Sequence, residues 1–143
     1  MRSASGFTLI EIMIVVAVIG ILAGMSAPIV SSAMDRYDII AAGQQVASTV
    51  RAGRFQAIAR NDTLRVRFDY PAAGQYQVVD TANVKVGEIQ RLADGVTFGD
   101  GTADVQIDAE GRALAPSTIT VTNGNADYDR TITVSTSGRV QLQ

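Results

Sequence analysis

Glu11 is a carboxylate set at the start of an apolar run. From Ile12 to Met34 no side chain is charged, and at the helical rise that stretch reaches roughly 35 Å against a hydrocarbon core of about 30 Å. A carboxylate at the bilayer centre costs about 2.5–3.5 kcal/mol on insertion scales. Glu11 must therefore stay at headgroup level, where it can snorkel to water, or meet a cation in low dielectric. A second charged group is basic. Arg51, Arg54, Arg60, Arg65 and Arg67 fall within residues 51–67, where the only acid is Asp62. Arg65 and Arg67 alternate along one strand face and, with Arg139, are the candidate contacts for a phosphate backbone. A third group is acidic. Asp94, Asp100, Asp104 and Asp108 stand in a Gly-containing stretch. Their spacing matches no EF-hand loop, so they read as a solvated face and no metal is expected.

Other chemistry is excluded by residue type. The chain has no His and no Cys, which removes His-based triads, thiolate nucleophiles, disulfides and most zinc sites. No activated nucleophile is spelled out, so no catalytic residue, cofactor or enzyme activity is expected. Twelve Lys and Arg against fourteen Asp and Glu give a net charge of −2, which provides no global attraction to nucleic acid.

The elements that position these groups differ between the two ends of the 143-residue chain. Residues 7–34 read as a hydrophobic helix. Gly20 and Gly24, and Ala23 and Ala27, place small residues on helix faces where backbones can approach. Pro28 lacks an N–H and its ring opposes the carbonyl of Gly24, so a kink or loosening is expected at Gly24–Pro28. Residues 35–61 continue as an amphipathic half of the same helix. Ile39, Val46, Val50, Ala57 and Ile58 recur at helical spacing, and Asn61-Asp62 ends it. From residue 62 to 143 the period becomes two. Leu64, Val66, Phe68 and Tyr70 alternate with polar residues, and a return follows at Tyr76–Val79. Further strands are expected at Lys85–Leu92, Val96–Phe98, Val105–Asp108, Thr118–Thr122, Thr131–Ser135 and Arg139–Leu142. Gly-containing turns separate them. The class is α+β: one long helix, then short antiparallel strands.

The N-terminal segment admits three readings. It could be a plain membrane anchor, or a secretory signal cut after Ser31-Ser32-Ala33. The run is longer than the roughly 7–15 residues of a signal's apolar region, and Glu11 interrupts its beginning. The third reading rests on Gly6-Phe7-Thr-Leu-Ile-Glu11 following a short leader, residues 1–6. This resembles the class III signal of type IV pilins and pseudopilins. The resemblance implies a prepilin peptidase that cuts between Gly6 and Phe7 and methylates the new amine. It also implies that Glu11 meets the N-terminal amine of a neighbouring subunit in a filament. Arg2 sets the N-terminus on the cytoplasmic side of the inner membrane, with the β domain periplasmic.

The rest of the chain resembles the GspH/FimT family of minor pilins and pseudopilins. The resemblance is carried by Arg54-Phe-Gln-Ala-Ile-Ala-Arg60-Asn61, the strand Arg65-Val-Arg67-Phe68 and the ending Arg130-Thr-Ile-Thr-Val-Ser-Thr-Ser-Gly-Arg139-Val140. It implies a helix packed on two antiparallel sheets and a structural role at or near the tip of a pilus or secretion pseudopilus. The implied partners are other pilin subunits, and membrane lipid before assembly. Some members bind DNA through a C-terminal Gly-Arg-x-Arg-x-Arg motif. Here Gly138-Arg139 is followed by Gln141 and Gln143, so two of the three cations are missing.

Overall fold

The computed structural model describes residues 7–143, with the side chains of 25–31 outside the description. Helix α1 covers Leu9–Arg60 and Thr8 caps it. Thr8 Oγ1 accepts the Glu11 N–H at 3.3 Å, and its carbonyl accepts from Glu11 and Ile12 at 3.1 and 3.3 Å. Thr followed three residues later by Glu is a capping box in sequence, and the carboxylate lies where the helix dipole is positive. α1 is continuous through Gly24 and Pro28. At its end Asn61 turns left-handed, with φ of 52°. Asn61 N–H then donates to the Ile58 carbonyl at 3.2 Å, and Asp62 N–H to Ala57 at 3.1 Å. These two bonds form the Schellman pattern that satisfies the last carbonyls.

The chain divides into two units, Met1–Asp35 and Arg36–Gln143. In the first, the apolar side chains from Leu9 to Leu22 are about half or more exposed, with Leu9 at 82% and Leu22 at 60%. Among the described residues no helix is long and apolar enough to cross a membrane. Side chains 25–31, through which the uncharged run continues in sequence, lie outside those residues.

The second unit contains eight strands. They are β1 (Leu64–Phe68), β2 (Gln75–Asp80), β3 (Gln90–Arg91), β4 (Thr97–Phe98), β5 (Val105–Ile107), β6 (Ser117–Thr122), β7 (Arg130–Val134) and β8 (Val140–Leu142). They form two four-stranded sheets, ordered β3-β2-β1-β5 and β4-β6-β7-β8. Every pairing is antiparallel. Alternation selects the buried face: Leu64, Val66 and Phe68 point inward on β1, and Ile119 and Val121 on β6. They share one core with Ile39, Val46, Val50 and Ala57 of α1. Fully burying each Val or Ile contributes about 1.5–3 kcal/mol. The helix approaches both sheets where it has no side chain. A Cβ on Gly43 would meet Arg130 and Leu142 at 3.2 Å, and one on Gly53 would meet Val66 at 3.2 Å. Phe68 and Tyr76 of one sheet meet Phe98 of the other, with ring centroids 5.2 and 5.7 Å apart.

Two expected strands stop more than one residue short of their sequence pattern. The alternation through Tyr70 stops at Phe68, because Asp69 adopts a φ of 51° and its carboxylate accepts the Gly74 N–H at 2.8 Å. The strand expected over Lys85–Leu92 reduces to Gln90–Arg91, plus a single bridge between Lys85 and Val79. The Val86 and Gly87 N–H groups both donate to the Val78 carbonyl, at 3.0 and 3.1 Å. That doubling is a bulge: two residues oppose one and the ladder is lost until Gln90.

Candidate functional site

The helix start is the first candidate. Phe7 is 80% exposed and Glu11 is exposed in the first turn. Among the described residues no cation is within ion-pair distance of Glu11. Gly6 lies outside the described residues, as does the side chain of Pro28. Gly20 and Gly24 face open space, so their small faces are free to receive another helix. Sequence reasoning missed Thr8, although Thr8-x-x-Glu11 spells the cap. Glu11 therefore has a local role in the chain itself, and its carboxylate remains available to a further partner.

The arginines separate into two groups. Arg65 and Arg67 lie on the outward face of β1, in the first sheet, while Arg139 sits in the turn before β8, in the second. Arg67 is engaged inside the domain by an ion pair, a hydrogen bond and a ring contact. Its Nε lies 3.4 Å from Asp104 Oδ2, its Nη1 donates to Asn83 Oδ1 at 3.2 Å, and its guanidinium stacks on Tyr70 at 3.8 Å. Such a guanidinium, held on three sides, is committed to the domain's own structure. The residues on either side of Arg139 meet α1. Arg51 Nη2 donates to the Val140 carbonyl at 3.5 Å, and Arg54 Nε packs against Gly138 and Gly111. The sequence held no signal for this grouping, because it depends on how the β7–β8 hairpin closes on the helix.

The acids are also structural. Asp104 pairs with Arg67 and accepts the Phe68 N–H at 3.2 Å. Asp108 accepts the backbone N–H groups of Arg112 and Glu110 at 2.7 and 3.1 Å, and Arg112 Nε at 3.0 Å. The Arg112 backbone N–H is the main cause that holds the Asp108 carboxyl below the usual carboxylate range. Among the described residues no group of acids is arranged to hold a metal ion.

Residues 1–27 match the prokaryotic N-terminal methylation motif, and residues 42–138 match the type II transport protein GspH. The chain belongs to the GspH family. A pilin-like protein of Thermus thermophilus, PilA1, is 28% identical over 96% of this chain and 97% of its own length. The type IV minor pilin FimU of Pseudomonas aeruginosa shares the fold, with a TM-score of 0.63 at 16% identity over 76% of this chain and 90% of FimU. The minor pseudopilin EpsH from the Type 2 Secretion System of Vibrio cholerae superposes with a TM-score of 0.58 at 16% identity, over 74% of this chain and 96% of EpsH. This GspH-family chain is thus type IV pilin-like, an α+β protein with one long helix and an antiparallel domain of two sheets.

Proposed function

We propose that the chain is a structural minor pilin or pseudopilin. It is stored in the inner membrane by its apolar helix, N-terminus cytoplasmic and β domain periplasmic. A prepilin peptidase cuts between Gly6 and Phe7 and methylates the Phe7 amine. The subunit then assembles with other pilin-like subunits, at or near the tip of a type IV pilus or a type II secretion pseudopilus. The observation that carries this reading is a Glu11 without an ion-pair partner among the described residues, in the first turn of a helix whose apolar side chains are exposed. So large an apolar surface requires lipid or other helices around it.

Cleavage creates the missing cation. Before it, Phe7 has a neutral amide. After it, the α-amine stays largely protonated below its reference pKa of about 8, and each subunit carries one cation and one anion near one helix end. A neighbour's amine then neutralises Glu11 within a bundle of apolar helices. In that bundle α1 loosens between Gly24 and Pro28. The first test is Glu11→Val: the β domain keeps its thermal midpoint while incorporation into filaments falls at least tenfold. Undiminished incorporation contradicts the pair.

Two other readings have direct tests. DNA uptake would use Arg65, Arg67 and Arg139, and predicts a salt-dependent mobility shift of duplex DNA by the chain. A secreted β-domain protein with an ordinary signal predicts a mature N-terminus near Met34.

A further inference from the structure

A groove runs between α1 and the bulged segment that follows β2. Gln45, Thr49, Ala52 and Gln56 fall at i, i+4, i+7 and i+11, one helix face, and line one wall of a cavity of about 340 Å3. Gly87, Glu88 and Gln90 line the other wall. The amides of Gln45 and Gln90 meet at 3.1 Å. From Gln45 to Gln56 the helix advances roughly 16 Å, the span of about five extended residues. Gln56 Oε1 is buried and has no hydrogen-bond partner among the described residues. The Tyr76 hydroxyl, fully buried and close to that of Thr49, makes no well-aligned bond either. Thr49 Oγ1 itself donates to the Gln45 carbonyl at 3.1 Å.

The second wall also carries free backbone groups. β3 is an edge of the first sheet, and the bulge at Val86 and Gly87 takes the preceding chain off the β2 ladder. Among the described residues no carbonyl accepts the Glu88 or Ile89 N–H, and no N–H donates to their carbonyls. The Glu88 carboxylate, the charge in the groove's lining, is tied to Lys85 Nζ at 3.0 Å. The groove therefore favours a neutral occupant. Among the described residues no aromatic side chain lines it, so a sugar ring finds no face to stack on. Side-chain amides and open backbone groups offer donors and acceptors together, the pattern that a peptide chain complements.

We propose that this groove holds an extended stretch of a different pilin-like subunit, its backbone paired to Glu88 and Ile89 and its small or amide side chains lying along the Gln45–Gln56 row. The inference rests on the filament-subunit reading above and names a surface and the kind of segment it takes. Backbone pairing at an open sheet edge supplies affinity, and the row of side chains supplies selectivity. A donor from that segment satisfies Gln56 Oε1, a buried acceptor that is costly to leave alone. A second copy of this chain offers no matching strand. Its open edges, β3 and β4, are two residues each. The outer side of β5 is bridged by Ala113 and bonded to Leu114, and on β8 the Val140 carbonyl is taken by Arg51. The contact is therefore one-to-one with an unlike subunit and closes there, as suits a minor component.

The test uses the full-length chain in detergent micelles, with overlapping ten-residue peptides tiled across the other pilin-like subunits of the same cell and across this chain. A tile from an unlike subunit binds and slows solvent exchange of the Glu88 and Ile89 amides at least tenfold. The same tile loses that protection when its own backbone is N-methylated at alternate residues. Ser48→Trp, which fills the groove from an exposed position, weakens binding at least tenfold and leaves the thermal midpoint unchanged. Gln56→Leu weakens binding in the same direction, and decides the point if Ser48→Trp lowers that midpoint. No binding tile, binding that leaves both amides exchanging freely, binding indifferent to these variants, or binding confined to tiles of this chain overturns the proposal. So does a chitin or maltose oligosaccharide that takes the groove where no tile does. Filament incorporation in cells is scored separately. A chain that enters filaments but binds no tile sinks the groove alone, and one that binds a tile but never enters filaments sinks the filament reading alone.

Discussion

Tyr76 has no exposed surface, and its hydroxyl, close to that of Thr49, makes no well-aligned hydrogen bond among the described residues. Burial pushes it up to about 12, partly offset by the nearby Thr49 hydroxyl. A phenol ionises by losing a proton, so between its unfolded value of about 10 and its folded value the unfolded chain binds fewer protons. Stability is therefore complete below about pH 10 and falls by about 2–3 kcal/mol as pH rises towards the folded value. Tyr76→Phe removes that decline and leaves no hydroxyl unsatisfied, for an expected gain of about 1 kcal/mol near neutral pH. Urea midpoints across the alkaline range check it, and an unchanged alkaline decline contradicts it. Asp108 behaves in the opposite sense. Its carboxyl is held low, first by the Arg112 backbone N–H and further by the Arg112 side chain, so its stabilisation is present above its unfolded value and disappears as pH falls through its folded one. Asp108→Asn should flatten the acid side of a plot of thermal midpoint against pH. A wild-type acid decline retained in the variant would assign it to other groups. Neither role was legible in the sequence, because Thr49 meets Tyr76 only through packing. The methylation motif around Phe7 and Glu11 was legible because a few adjacent residues carry it.

Helix and strand boundaries follow the same division between local and distant causes. The end of α1 at Asn61-Asp62 was readable, since an Asn tolerates the left-handed position that a Schellman close requires. The alternation of β1 was readable too. The shortening of β3 was not, because a bulge opposite Val78 is decided by the partner strand. Nor was the meeting of the Asp108–Arg112 and Ser135–Arg139 turns over α1. Gly138 sits there with φ of 75°, and a Cβ on it would run into the Gly111 carbonyl oxygen. Gly138→Ala should cost about 3 kcal/mol or more, from left-handed strain together with overpacking. Gly124 has a comparable φ of 86° but faces open space, so Gly124→Ala should cost only about 1–2 kcal/mol. Denaturant unfolding of the two variants separates the terms, and equal losses would remove the close approach from the explanation.

At the level of the whole molecule, the two ends of the chain differ in what they bury. Residues 36–143 bury a common core under two sheets, while the helix before them exposes Leu9, Ile10, Met13 and Leu22. That contrast was plain in the sequence, because an uncharged run and an alternating run need no tertiary information to be told apart. The contact of Arg51 and Arg54 with Val140 and Gly138 was hidden, because it arises only when a hairpin distant in sequence folds back on α1. In the proposed assembly, processing gives Glu11 its cation. The mass of the N-terminal peptide of the mature chain isolated from cells tests this most closely. The expected peptide begins at Phe7 and carries one methyl group on its amine. A mature, assembly-competent chain that still begins at Met1, or one that begins near Met34, contradicts it.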